Sequence, residues 1–307
     1  MVARSPIISP AALFDRLADP ELRVVDVRWV LGSPGRGREA YDAGHVPGAI
    51  FLDVDSDLVA SEGPGRHPLP APADFGWRLE AAGIGTEHQV VAYDDVGGWV
   101  AARLWWMLDD LGHDRVAVLD GGYPAWVSEG RPETLEVPAY PRARLQLADH
   151  WSKTIDRAGV AAELGRMVLL VARGGPRYRG ETEPIDPVPG HIPTARNAPT
   201  DGNLGPDGRL LKPTDLAARF RTLGADGSEG PVLTSCGSGV SACFNSLAMR
   251  VAGLPDPILY PGSYSDWSRS GMPIAVGAAP GDPPQDPVLG ASPAGASHSA
   301  RHRPAGR

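Results

Sequence analysis

The sequence contains little cysteine, no long apolar segment and no excess of positive charge. Two cysteines in 307 residues cannot build a disulfide framework, and this scarcity predicts a reducing compartment, the cytoplasm. No apolar run approaches the roughly 20 residues of a membrane-spanning helix, and the first residues lack the apolar block of a signal peptide. The net charge of −8 argues against a nucleic-acid partner. We therefore expect a soluble globular protein that binds neither membranes nor nucleic acids.

Metal ligands and nucleotide-binding motifs are also missing. The eight histidines and two cysteines do not fall at the spacings of metal ligands. The glycine-rich segment 32–37 has no following Lys-Ser or Lys-Thr pair, so it does not match a phosphate-binding loop. We expect neither a bound metal nor a bound cofactor.

Four landmarks occur in the same order in both halves of the chain. The paired segments are 24–28 with 169–173, 44–49 with 190–195, 90–93 with 232–235, and 119–126 with 259–267. Ordered matches of this kind indicate a tandem duplication of one unit of about 130 residues.

Each unit alternates short β-branched runs with amphipathic helical segments. This pattern predicts the α/β class, with a central, mainly parallel sheet flanked by helices. We place the first domain at residues 1–135, a proline-containing linker at 136–150 and the second domain at 151–277. Residues 278–307 contain almost no large apolar side chains, so they are predicted to form a disordered tail.

Cys236 is the candidate nucleophile. It opens the segment Cys-Gly-Ser-Gly-Val-Ser, which follows an apolar strand pattern and precedes a helix pattern. Unpaired backbone N–H groups and the positive end of the helix dipole favour a thiolate at such a junction. The two glycines, Gly237 and Gly239, let the loop close around the sulfur, and Val240 and Ser241 complete it. The amides of this loop are predicted to hold a departing sulfur or a persulfide.

Cys243 is predicted to have a different role. It recurs with other apolar residues at the spacing of one helix face, which is typical of a side chain that faces the core. We therefore interpret Cys243 as packing.

The duplicated unit with a loop cysteine in its second copy resembles the tandem rhodanese-type sulfurtransferases up to about residue 277. The motifs that carry the resemblance are the Asp-Val-Arg strand end, the Gly-His-x-Pro turns, the cysteine loop and the Pro-Gly-Ser-x-x-x-Trp segment. The resemblance implies two rhodanese-like domains, of which the first lacks the nucleophile because Asp94 stands at or beside the matching position. His45 and His191 in the two turns are interpreted as structural.

The loop composition favours one sulfur donor. Family members that prefer thiosulfate carry basic residues after the nucleophile, whereas here Gly237 and Ser238 follow it. The neutral loop is similar to that of the 3-mercaptopyruvate sulfurtransferases, whose substrate carries a carboxylate. By this resemblance Arg177 is the first choice for the carboxylate contact, and Arg179 of the same segment is a second candidate.

The resemblance also implies a proton relay. A first-domain stretch of the mercaptopyruvate-type enzymes lends an aspartate and a histidine to the site, and Asp55 and His67 match it here. These two residues are predicted to act with Ser238 on the proton that pyruvate requires. Sulfur would then pass through a Cys236 persulfide to cyanide or a thiol, such as a thioredoxin-like protein.

Three alternatives are weighed against this function. A cysteine phosphatase or arsenate reductase needs an arginine six positions after the nucleophile, where this chain has Ala242. A non-catalytic rhodanese-like binding module does not need the cysteine in its glycine loop. Thiosulfate:cyanide sulfur transfer is the nearest alternative and remains open.

Two positions depart from the family pattern. Some relatives have a second arginine that binds the substrate, and it has no evident counterpart near Ile185 and Asp186. The strand end in the second half reads Leu170-Val171-Ala172-Arg173, without the aspartate found in the first half. We expect a weaker or differently shared carboxylate site and a loosened structural salt bridge.

Overall fold

The computed structural model describes residues 5–284 and contains two parallel sheets. The strands of the first repeat are β1 (Ile7–Ile8), β2 (Leu22–Asp26), β3 (Ala49–Phe51), β4 (Gln89–Tyr93) and β5 (Val116–Leu119). Those of the second repeat are β6 (Val168–Val171), β7 (Arg196–Asn197), β8 (Val232–Ser235) and β9 (Ile258–Leu259). The strand orders are β1-β5-β4-β2-β3 and β7-β6-β8-β9, and all neighbouring strands within each sheet run parallel.

Helices connect the strands in both repeats. The first repeat contains α1 (Pro10–Phe14), α2 (Arg36–Ala43), α3 (Val54–Asp57), α4 (Pro72–Ala81), α5 (Ala101–Asp110) and α6 (Gly122–Ser128). The second contains α7 (Arg157–Glu163), α8 (Gly175–Arg179), a short 3₁₀ helix (Thr200–Asn203), α9 (Pro213–Thr222), α10 (Ala242–Val251) and α11 (Ser263–Trp267). The α/β class predicted from the sequence is confirmed.

Local sequence signals explain where several helices begin. Prolines occupy the first position of α4 and α9, where a missing N–H costs nothing and the fixed φ suits a helix. Ser9 caps α1 by accepting from the Ala12 N–H at 3.2 Å. Asp156 caps α7 in the same way through the Gly159 N–H at 2.8 Å.

The two repeats share the largest of the four clusters of buried hydrophobic side chains in the described part of the chain. The largest cluster of buried side chains contains Leu104 and Leu108 from α5 together with Phe244 and Leu247 from α10. These two helices pack directly against each other. Burial of this apolar surface fixes the repeats in one arrangement, so a site can be built from both.

Equivalent contacts in the two repeats confirm the duplication. His45 stacks on Tyr41 with ring centroids 3.8 Å apart, and His191 stacks on Tyr178 at the same 3.8 Å. In each pair the histidine Nδ1 lies within hydrogen-bond distance of the tyrosine carbonyl, at 2.9 and 2.8 Å. Both histidines are fully buried, which agrees with their structural interpretation.

The connection between the repeats lies against the first sheet. Residues 135–148 form neither helix nor strand, but Tyr140 donates from its hydroxyl to the Gly48 carbonyl at 3.0 Å. The Arg23 guanidinium lies over the Tyr140 ring at 4.1 Å. Residues 278–284 also lack helix and strand, and the rest of the predicted tail, 285–307, lies outside the described residues. None of the helices within 5–284 has the length and apolar character needed to cross a bilayer.

Candidate active site

Cys236 directly follows β8 and opens the loop that leads into α10. Its side chain is almost completely buried, and the Sγ atom lies 3.4 Å from the Ser238 nitrogen and 3.1 Å from the Gly239 nitrogen. Gly239 has a φ of +78°, and a Cβ there would approach the Pro261 carbonyl oxygen to 2.5 Å. Only glycine fits this turn, which aims backbone N–H groups at the sulfur.

The environment of Cys236 favours its thiolate. Burial by itself raises the pKa of the thiol, since a charged sulfur loses its hydration. Hydrogen bonds from the Ser241 hydroxyl and from the backbone N–H groups of Ser238, Ala242 and Gly239 outweigh this effect. The net result is a lowered pKa, as expected of a reactive cysteine.

A strained residue holds the main chain of Cys236. Ser263 accepts from the Cys236 N–H at 3.0 Å and donates its hydroxyl to the Tyr260 carbonyl at 2.9 Å. Its φ of +51° lies in the left-handed region. The matching residue of the first repeat is Gly122, which has a φ of +58°. A serine kept in a conformation that favours glycine indicates that its hydroxyl is needed there.

Cys243 lies in the core, as its spacing predicts. Its side chain is fully buried, and the Sγ donates to the Gly239 carbonyl at 3.3 Å. Burial raises the pKa of this thiol to about 12, so Cys243 stays protonated at neutral pH. Val240 is buried as well, and its carbonyl accepts from the Cys243 N–H.

The structure brings Ser238, His67 and Asp55 together. The His67 Nδ1 lies 2.7 Å from the Ser238 Oγ, and its Nε2 lies 3.3 Å from an Asp55 carboxylate oxygen. The other Asp55 oxygen accepts from the Trp29 indole N–H at 2.9 Å. Trp29 also places its ring edge-on against His67, with centroids 5.2 Å apart. These contacts hold the histidine between a hydroxyl and a carboxylate.

His67 is neutral at physiological pH. Burial lowers its pKa to about 4, and the nearby Arg103 and Arg66 charges act in the same direction, against the opposing effect of Asp55. A neutral imidazole has one donor and one acceptor. Because a carboxylate only accepts, we assign the proton to Nε2 and leave Nδ1 to accept from the Ser238 hydroxyl.

Arg103 of the first repeat is completely buried behind the loop. It donates to the Gly239 carbonyl at 3.0 Å, to the His67 carbonyl at 3.1 Å and to the Leu58 carbonyl at 3.4 Å. No carboxylate within the described residues pairs with it. Arg103 therefore ties the relay-bearing segment of one repeat to the cysteine loop of the other.

Two guanidinium groups lie over the residue after the nucleophile. A Cβ placed on Gly237 would lie 2.9 Å from the Arg66 Nη2 and 3.8 Å from the Arg177 Nη1. Asp186 accepts from both arginines, and Glu183 accepts from Arg177 at 2.7 Å. This pair of cations is suited to an anionic group bound beside Cys236.

Arg179 has different contacts. Its guanidinium donates to both carboxylate oxygens of Glu181, at 2.7 and 2.9 Å, in an ion pair that faces solvent. Within residues 5–284 its side chain makes no hydrogen bond to the cysteine loop. The geometry thus gives no support to the predicted substrate contact of Arg179.

Sequence reasoning missed three residues of this site. Arg66 directly precedes His67, so the segment that suggested the histidine also contained the second cation. Arg103 interrupts a strongly apolar helix. A charged side chain in such a position predicts hydrogen-bond or ion-pair partners in the protein interior. Trp29 follows the Asp-Val-Arg strand end and carries no sequence signal of its own.

The missing strand-end aspartate of the second repeat is replaced by another acid. In the first repeat Asp26 pairs with Arg28, and both side chains are buried. In the second repeat Val171 occupies the aspartate position, and Arg173 pairs instead with the buried Glu183. The expected loosening of this salt bridge is therefore wrong, because an acid ten residues along the chain supplies the charge.

Asp94 occupies the Cys236 position in the first repeat. It follows β4 directly, and its carbonyl accepts from Tyr123 just as the Cys236 carbonyl accepts from Tyr264. The buried Asp94 carboxylate accepts four backbone N–H groups at 2.7–3.0 Å, from Val96, Gly98, Val100 and Ala101. The first-repeat loop thus cradles a carboxylate where the second cradles a sulfur.

Comparison with known proteins places this architecture in a family. The Rhodanese-like domain family matches residues 9–129 and 165–270. The chain is 42% identical over 283 residues to a probable 3-mercaptopyruvate sulfurtransferase from Pseudomonas aeruginosa, covering 90% of this chain and 100% of that protein. It is 38% identical over 287 residues to a putative thiosulfate sulfurtransferase from Mycobacterium tuberculosis, covering 91% and 100%.

Solved structures give the same result. The 3-mercaptopyruvate sulfurtransferase from Leishmania major superposes with a TM-score of 0.74 at 33% sequence identity, covering 85% of this chain and 74% of that one. Two matched ranges, two parallel sheets and one loop cysteine agree with the resemblance read from the sequence. The chain therefore belongs to the tandem rhodanese-domain sulfurtransferases.

Proposed function

We propose that this sulfurtransferase takes its sulfur from 3-mercaptopyruvate and carries it as a persulfide on Cys236. The observation that carries the proposal is the contact of 2.7 Å between Ser238 and His67 beside the nucleophile. Sulfur loss from 3-mercaptopyruvate leaves a carbanion that must be protonated, whereas sulfur loss from thiosulfate leaves sulfite and needs no proton. A proton relay at the sulfur therefore favours the keto-acid donor.

The first half-reaction follows from this arrangement. The Cys236 thiolate attacks the donor sulfur, so an S–S bond forms while the C–S bond breaks. The electron pair of the C–S bond leaves on carbon as the enolate of pyruvate. The proton of the donor thiol passes through Ser238 and His67 to that carbon, and the amides of the loop hold the resulting persulfide anion.

The two cations account for the carboxylate of the donor. Arg66 and Arg177 present guanidinium groups above Gly237, within reach of a group bound at Cys236. A planar carboxylate accepts from guanidinium groups in a forked geometry, which also fixes the orientation of the donor. This contact would place the sulfur against Cys236.

The second half-reaction returns the enzyme to its starting state. A thiolate acceptor, cyanide or the thiol of a thioredoxin-like protein attacks the outer sulfur and displaces the Cys236 thiolate. Donor and acceptor then use the same position in turn, so we expect ping-pong kinetics.

Two activity assays and one mass measurement test the proposal. Pyruvate release from 3-mercaptopyruvate should be faster than thiocyanate release from thiosulfate and cyanide, and Cys236→Ser should abolish both. Cys243→Ser is the matched control and should retain turnover, because its thiol stays protonated in the core. Mass spectrometry after donor treatment should find one added sulfur atom on Cys236. A clear preference for thiosulfate would refute the donor assignment, and an active Cys236→Ser protein would refute the mechanism.

A further inference from the structure

A buried carboxylate lies between the two arginines at the mouth of the site. The Asp186 side chain is fully buried, and its oxygens accept from Arg66, from Arg177 at 3.3 Å and from Arg269 at 3.1 Å. Arg66 and Arg177 receive the donor in the proposed function. The acid between them is so far unexplained.

The charges of this cluster do not cancel. Its four cations and two anions leave a formal charge of +2, and the members are Arg66, Arg173, Arg177, Arg269, Glu183 and Asp186. Glu183 neutralises the buried Arg173. Asp186 therefore sets how much positive charge the remaining arginines offer to an incoming anion.

We propose that Asp186 is a specificity-determining residue that favours singly charged sulfur donors over doubly charged ones. The inference rests on the proposed function, in which Arg66 and Arg177 bind the donor anion. 3-Mercaptopyruvate with a protonated thiol carries one negative charge, and thiosulfate carries two. Electrostatic energy scales with the charge of the donor. Each negative charge in the site therefore opposes the binding of thiosulfate about twice as strongly as the binding of 3-mercaptopyruvate.

The distances make this effect measurable. The Arg66 Nη2 lies 2.9 Å from the point that a Cβ on Gly237 would occupy. Asp186 accepts a hydrogen bond from the same guanidinium group. Asp186 thus lies one hydrogen bond beyond the position of a bound donor. At a separation of about 7 Å, one unit of charge changes the preference between the two donors about fiftyfold at an effective dielectric constant of about 20 and about threefold at about 80, so an effect of about tenfold is expected.

The test compares kcat/KM for both donors at constant ionic strength. Asp186→Asn removes the charge but keeps one oxygen acceptor for the arginines, so the ratio of 3-mercaptopyruvate to thiosulfate activity should fall about tenfold. Glu229→Gln is the matched control, because it removes a charge of the same sign from an exposed pair with Arg196. Its ratio should not change. An unchanged ratio in Asp186→Asn, or an equal loss with both donors, would overturn the proposal.

A variant of opposite sign gives a second test. Arg269 is half exposed and donates to Asp186, so Arg269→Gln removes a cation from the same cluster. The ratio should rise in this protein, and a fall or no change contradicts the role of Asp186. A wild-type enzyme that prefers thiosulfate counts against the proposed function, whereas the direction of the ratio change in the variants still tests Asp186.

Discussion

His67 combines a buried position with contacts to two polar partners. Burial keeps its imidazole neutral, with a pKa of about 4, although Asp55 lies 3.3 Å away. A neutral ring can accept a proton at one nitrogen while it donates at the other. The relay can therefore pass a proton between Ser238 and Asp55 without a positive charge on the resting imidazole.

The depressed pKa of His67 predicts how stability varies with pH. In the unfolded chain the imidazole takes a proton near pH 6.5, whereas the folded protein resists it until about pH 4. Stability from this residue is complete above pH 6.5 and declines as the pH falls toward 4, by about 3 kcal/mol in total. Urea denaturation at several pH values should show this decline in the wild type and a smaller one in His67→Asn.

The control for this experiment is His150→Asn. His150 is mostly exposed, so its replacement should leave the decline of the wild type intact. If His67→Asn loses stability with falling pH as steeply as the wild type, the histidine is not the buried neutral group described above.

The two loops that follow β4 and β8 show what the duplicated unit preserves. Each turns backbone N–H groups toward the first residue after the strand, which is Asp94 in one repeat and Cys236 in the other. Burial raises the pKa of Asp94, and the four N–H groups oppose this rise. The loop geometry therefore does not depend on sulfur, and the cysteine adds reactivity to an existing anion cradle.

Replacement of Asp94 tests this cradle. Asp94→Asn keeps the shape but turns an NH₂ group toward backbone donors, so at least one buried N–H loses its acceptor. We expect a loss of about 2 kcal/mol in the free energy of unfolding, measured by urea denaturation. Asp95→Asn is the control, because Asp95 is exposed beside it and should change stability little. Equal losses in the two variants would argue against the cradle.

The turns and helices that the two repeats have in common could be predicted from the sequence, because the same residue types recur in both halves. The Gly-His-x-Pro turns and the Trp segments reappear with the same hydrogen bonds, including tryptophan N–H donation to Pro132 and Pro273 at 2.8 Å. The replacement of the missing aspartate by Glu183 was not predictable. That acid comes from a loop ten residues beyond Arg173, and no periodic pattern connects the two.

The arrangement of the two repeats places the nucleophile and the relay in one site. Cys236 belongs to the second repeat, whereas His67, Asp55 and Trp29 belong to the first. Arg103 crosses the same boundary, with donors directed at carbonyl groups on both sides. The first repeat thus contributes to the site although it has no cysteine of its own.

Loss of Arg103 should destabilise this arrangement. Arg103→Met leaves the buried carbonyl groups of Leu58 and His67 without a donor, and leaves the Gly239 carbonyl with the Cys243 thiol alone. We expect the free energy of unfolding to fall by about 3 kcal/mol, as measured by chemical denaturation. Arg142→Met is the control, since Arg142 is half exposed and makes only surface contacts, with Glu80 and the exposed Trp77 ring, among the described residues. Similar effects of the two substitutions would contradict the bridging role.

Sequence motifs identified Cys236, Ser238, His67 and Asp55 as candidates, and the structure brings them together. The docking of α5 on α10 was not readable from the sequence. Both helices are apolar on most of their surface, so hydrophobic pattern alone does not select the partner of each face. The contacts of Arg103 depend on that docking, which explains why sequence reasoning missed it.

The repeats also cover each other's loops. Gly65 of the first repeat packs against Gly262 beside the Cys236 loop, and the Arg66 N–H donates to Ser265. Reciprocally, a segment of the second repeat near Gly208 packs on Gly97 in the Asp94 loop. We therefore expect either half, when it is expressed alone, to leave its own strand-end loop exposed to solvent.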